Sequence, residues 1–175
     1  MIHLVASLLA AQASAASATP PPAPPPPCAS EAHAAFDFWV GDWDVYPQGS
    51  ETIVAHSKIE RLYAGCAIRE NWMPLRGPGG GSLSNRDPSN GHWHQTWIGA
   101  SPGRVEFDGG LVNGAMVLTG FWQNVGGPGK DGLVRMTYTA EDGGAVRQHG
   151  LVSYDYGVSW EESFDFLYRP HKSAE

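Results

Sequence analysis

The polar residues best placed to do chemistry lie among tryptophans. Successive side chains of an extended chain point to opposite faces. In 66–72, Cys66, Ile68, Glu70 and Trp72 therefore share one face, and Ala67, Arg69 and Asn71 the other. The first face is the more apolar and belongs inside, carrying Glu70 with it. Trp93, Gln95 and Trp97 share a face against His94 and Thr96, and Val146, Gln148, Gly150 and Val152 share another. A buried carboxylate without a partner protonates or destabilises the fold. Arg135 is the candidate partner, although Val134, Met136 and Tyr138 form the more apolar face of its own segment. An interior built from Glu70, Trp72, Trp93, Gln95, Trp97, Arg135 and Gln148 is amphipathic and suits a small flat or mixed-polarity ligand. A satisfied polar network in a filled core, as in a structural envelope domain, is the alternative. A third reading makes Glu70 a general acid or base. A raised Glu70 pKa beside an open pocket favours the enzyme, an apolar pocket without a titrating group favours binding, and no pocket favours the structural domain.

Other constellations carry less. His92 and His94 stand two apart on a strand-like run, the spacing of paired metal ligands, with His149 as the only obvious third. They lie on the face expected to be exterior, so no metal site is assigned. His171, just past the last strand-like run, has the position of a late haem ligand but falls in a short tail, 171–175, expected to fray. No cofactor is expected. Gly77–Ser82, GPGGGS, lacks the Lys-Ser/Thr of a phosphate loop and precedes no helix. It reads as a flexible loop at a cavity mouth. The two cysteines, Cys28 and Cys66, form an even pair. In an oxidising compartment that pair reads as one disulfide, and otherwise as two buried thiols. With both bridged, no thiol nucleophile remains.

The elements that must hold these residues are short and β-rich. Strand-like runs fall near 40–47, 51–63, 66–74, 81–86, 91–99, 103–108, 114–123, 132–140, 144–154 and 158–168. Turn signals such as PSNG, FDGG, EDGG and YDYG separate them. The fold class is all-β, an antiparallel up-and-down meander of ten strands. Closure into a barrel would remove its exposed edges, and a two-sheet sandwich is the alternative.

Ahead of the strands, residues 1–27 hold no Lys, Arg, Asp or Glu. LVASLLAAQASA is an apolar run ending in small residues, too short to span a bilayer. It reads as a signal peptide over 1–18, which places the mature protein in the periplasm or outside the cell. TPPPAPPPPC then gives a stiff Pro-rich linker over 19–27 and a single barrel domain over 28–170. All charges follow residue 27, so the net charge of −7 belongs to that domain. An acidic domain without a basic cluster argues against nucleic acid and anionic membrane surfaces. A small-molecule ligand is the expected partner, with no membrane insertion after the leader is removed.

SEAHAAFDFW offers Ser30 as a helix cap and an acidic first turn, with Phe36 and Trp39 facing inward as a plug. Gly41-Asp42-Trp43 resembles the G-x-W at strand one of lipocalins and the wider calycins. That resemblance implies a calycin-like barrel whose tryptophan closes the base beneath a late arginine. Arg169 is the match here, through a cation–π contact, with Asp42 and Asp44 facing outward. FDFWVGDWDV, GCAIRENW, WHQTWI, GAMVLTG, VRQ and SYDYGVSW together resemble a family of uncharacterised secreted bacterial proteins over nearly the whole chain after residue 28. The family implies fold and export, not an activity. An aromatic follows VRQ in its pattern where this chain has Gly150, which implies an enlarged or reshaped interior. SYDYGVSW, Ser153–Trp160, also resembles the Asp-box of sialidase propellers. A single copy reads as a hairpin device: Asp155 accepts turn N–H groups, Gly157 takes positive φ and Trp160 covers the turn.

Overall fold

A computed structural model describes residues 23–172. The leader expected over 1–18, the first part of the linker and residues 173–175 lie outside that range. Ten antiparallel strands run as a meander: β1 Gly41–Pro47, β2 Ala55–Leu62, β3 Ala67–Pro74, β4 Gly80–Arg86, β5 Trp93–Ile98, β6 Val105–Val112, β7 Ala115–Trp122, β8 Gly132–Ala140, β9 Val146–Ser153 and β10 Glu161–Pro170. Each pairs with the next, and β10 returns to pair with β1, so the sheet is a closed barrel. Closure satisfies both edges of the sheet, which a sandwich would leave open. The run expected at 51–63 starts as a strand only at Ala55, and β6 continues to Val112 because Leu111 and Val112 pair with Met116 and Ala115.

A helical turn, α1 (Glu31–Ala34), and a 3-10 turn at Asp37–Trp39 plug one end. Ser30 holds the N-cap position, but its hydroxyl meets His33 Nδ1 at 2.8 Å and no backbone amide. Phe36 and Trp39 are fully buried. Phe36 stacks on Trp39 at 4.9 Å between centroids and meets Trp93 edge-on at 5.7 Å and Tyr138 at 5.0 Å. Trp43 Nε1 donates to the Trp39 carbonyl at 2.9 Å. A Cβ on Gly41 would lie 2.9 Å from the Trp43 ring, so the glycine in G-x-W seats the indole.

The arginine at this end is not Arg169. In antiparallel register Asp44 faces Arg169, and Trp43 faces Pro170. Arg169 therefore lies on the outer face, over Tyr46 at 4.5 Å and paired with Glu51 at 2.6 Å. Arg61 ties down the plug instead: its guanidinium bonds the Asp37 carboxylate and, at 2.9 Å, the Cys28 carbonyl. The Cys28–Cys66 disulfide pins the same segment to the approach to β3.

The SYDYGVSW turn is a hairpin device. Asp155 accepts from Ser153 Oγ at 2.7 Å and from the Ser159 amide at 2.8 Å, Gly157 has φ +93°, and Trp160 Nε1 donates to the Gly157 carbonyl at 3.2 Å. Bonds from Ser159, backed by Ser153, hold the Asp155 pKa down at about 2.

Candidate functional site

β3 turns Ile68, Glu70 and Trp72 inward, flanked by Ser57 of β2 and Ser82 of β4. Glu70 is buried, and its carboxylate accepts from Ser82 Oγ at 3.1 Å and Ser57 Oγ at 3.3 Å. Among the described residues no cation pairs with it. Burial pushes its pKa up from 4.5 to about 7, against the two serine bonds, which pull down.

Arg135 is not its partner. Val134, Met136 and Tyr138 take the inner face of β8, and Arg135 stacks outside over Trp160 at 3.9 Å. The alternation of its own strand decided this, because a one-residue slip would have exposed three large side chains. Trp93 is buried, but against Phe36 of the plug and not in the cavity.

Glu70, Trp72, Gln95, Trp97 and Gln148 do converge: all five line one interior cavity of about 190 Å³. Gln95 Nε2 donates to Ser84 Oγ at 3.0 Å. Gln148 bridges two buried phenols, accepting from Tyr168 at 2.6 Å and donating to Tyr138 at 2.9 Å. Burial first, and then the Glu70 charge, push both phenols up, so they stay neutral donors. Trp122, Phe164 and Phe166 complete the aromatic wall, with Phe164 stacked on Phe166 at 5.4 Å. Trp72, Trp97 and Trp122 also line a recess of about 790 Å³ between the β3–β4, β5–β6 and β7–β8 loops. The cavity thus adjoins the loop end, opposite the plug.

The glycine-rich segment contributes differently from expectation. Pro78 and Gly79 line the recess, but Gly80–Ser82 already belong to β4. A Cβ on Gly80 would stand 2.7 Å from the Trp97 ring, so this glycine makes room for a cavity wall. At Gly150 a Cβ would stand 2.4 Å from Phe164. The space freed there is filled by a cross-strand phenyl, which reshapes the cavity.

Ser57, Ser84 and Tyr168 had no assigned place in the site, Ser82 was expected in a flexible loop, and Tyr138 was expected only as part of an apolar face. In β4 the usual pattern is inverted, with the serines buried and Leu83 exposed. For those two serines the signal was register: Ser82 pairs with Glu70 and Ser84 with Gln95. Ser57 and Tyr168 were within reach of alternation, since Ser57 shares a face with Ala55 and Ile59 and Tyr168 with Phe164 and Phe166.

His92, His94, His149 and His171 lie outside the barrel interior, with exposed His92 just ahead of β5. His94 is held between Asp108 and Glu106, each at 2.9 Å, and His149 meets Glu162 at 3.5 Å. His171 is not frayed: its amide donates to the Asp42 carbonyl, and its ring meets Asp44 at 2.8 Å. Among the described residues no helix is long and apolar enough to cross a membrane. No protein-family model matches the chain, and no curated protein matches it.

Proposed function

We propose that this chain is an exported, calycin-type barrel that binds a small amphipathic molecule through the loop end. The observation that carries the reading is the convergence of one carboxyl group, two carboxamides and several aromatic rings on a single cavity beside an outer recess. An apolar body would lie against Trp72, Trp97 and Trp122, and a polar group would meet Glu70, Gln95 or Gln148. Few polar groups in an aromatic wall fix orientation, and the wall supplies affinity. The disulfide and the leader pattern over 1–18 support export.

Native mass spectrometry of protein purified from the periplasm should find a co-purified small molecule. Binding should change tryptophan fluorescence, since Trp72 and Trp97 face the cavity. Glu70→Gln should weaken binding and leave the fold intact. A variant that binds as wild type and differs only in stability would make the polar cluster a core network.

A specific observation favours a second reading. A carboxyl group with a pKa of about 7 beside a cavity is poised for general acid–base work. Desolvation is its main cause, however, and ligand enclosure demands desolvation too. A raised Glu70 beside an open pocket is the outcome expected of an enzyme; binding stays the first reading because the cavity's other titratable groups, Tyr138 and Tyr168, are phenols held neutral and give Glu70 no acid–base partner.

A further inference from the structure

We propose that Asp44, His56 and His171 form a binding site for one divalent transition-metal ion on the outer face of the barrel, at the seam where the first and last strands meet. Three elements are brought together by register. Asp44 of β1 stands directly opposite His56 of β2, and on its other side opposite Arg169 of β10. His171 lies two residues beyond Arg169, fixed by its amide bond to the Asp42 carbonyl at 2.8 Å. Both imidazoles aim Nδ1 at the same oxygen, Asp44 Oδ1, His56 from 2.7 Å and His171 from 2.8 Å. The rings stand edge to face, with centroids 5.6 Å apart. One ligand atom from each residue lies within 4.8 Å of the others.

Two imidazole nitrogens and one carboxylate oxygen are a donor set for Zn²⁺, Co²⁺, Ni²⁺ or Cu²⁺, with solvent as the fourth ligand. Metal–ligand bonds of about 2.0–2.2 Å place neighbouring donors roughly 3.3 Å apart. The present nitrogen–oxygen separations need to open by only about half an ångström, which the two half-exposed imidazoles can do. The ion would replace the protons that now bridge the imidazoles to the carboxylate. Charge separates this cluster from a second one, His149, Glu162 and Asp165. There the Arg147 guanidinium already holds Asp165 at 2.8 and 2.5 Å and would repel a cation. Among the described residues Asp44 is paired with the two histidines alone, and the Arg169 guanidinium, cross-strand from it, is engaged instead by both carboxylate oxygens of Glu51. A bound ion would clamp the segment after the last strand onto the first two strands.

The test uses untagged, disulfide-intact protein stripped with chelator. Zn²⁺ titrated calorimetrically should bind with a stoichiometry of one and raise the thermal midpoint, and Co²⁺ should give visible d–d bands. His56→Ala and His171→Ala should each weaken binding by roughly tenfold or more, a loss that even outer-shell changes can produce. His149→Ala should bind as wild type. Circular dichroism confirms that each variant is folded. Absence of saturable Zn²⁺ binding, binding retained by both the His56 and His171 variants, or loss in His149→Ala would each overturn the proposal.

Discussion

Glu70 is where single-residue chemistry is most exposed to test. Folding raises its proton affinity, so between about pH 4.5 and about 7 the folded chain keeps a proton that the unfolded chain releases. Its contribution to stability is fully present below about 4.5 and is lost as the pH rises through about 7. At about 1.4 kcal/mol per tenfold change in proton affinity, the loss is roughly 3 kcal/mol. Urea unfolding of wild type from pH 4.5 to 8 should show that decline, and Glu70→Gln should flatten it. Equal slopes in the two proteins would mean that Glu70 ionises as freely in the fold as in the unfolded chain. The inward direction of Glu70, Gln95 and Gln148 was legible from alternation, because each shares a face with large apolar neighbours. Which serines receive Glu70 was not, since a hydroxyl on a strand gives no hydrophobic signal of its own. Pairing across β4 sets Ser82 opposite Glu70, and on β2 Ser57 lies two residues from Ile59, the cross-strand partner of Glu70.

Within the plug and first strand, Trp43 is the side chain on which the closed end depends. It is buried, donates to the Trp39 carbonyl and meets Tyr168 edge-on at 6.3 Å. Trp43→Ala should cost about 3–5 kcal/mol, the range for deleting a large buried aromatic. Arg169→Ala should leave stability near that of wild type, because its partners lie on the outer surface. Chemical denaturation of both variants checks the pair, and a larger loss for Arg169→Ala than for Trp43→Ala would reverse the assignment. All ten strands were visible as β-rich runs between turn residues, but most of their limits shifted, furthest at Ala55 and Val112, where pairing decides them, and at Glu161, where the Asp155 turn holds Ser159 and Trp160. The arginine at the plug was misplaced because an i+1 step along a strand reverses the face. Whether residue 168 or 169 points inward depends on pairing with β1.

The whole molecule is held shut by covalent and non-covalent closure at the same end. The Cys28–Cys66 bond joins residues 38 apart in sequence. On the chain-entropy model, closing a loop of that length stabilises the fold by about 4 kcal/mol. Thiol titration in denaturant should find no free thiol before reduction and two after it. Reduction should lower the urea midpoint accordingly. An unchanged midpoint would mean that the plug stays seated without the bond, through Arg61 and the Phe36–Trp39 stack alone.

By itself the sequence determined the all-β class of fold, the plug and the inward face of most strands. These follow from local period, turn chemistry and composition, each readable within a few residues. Tertiary structure decided what those faces meet. Closure through the β1–β10 pairing set the registers that place Ser82 on Glu70, send Arg135 and Arg169 outside, and gather Asp44, His56 and His171 at the seam. Register is a relation between distant segments. It is fixed by the balance of every inward side chain at once, and no single segment carries that balance.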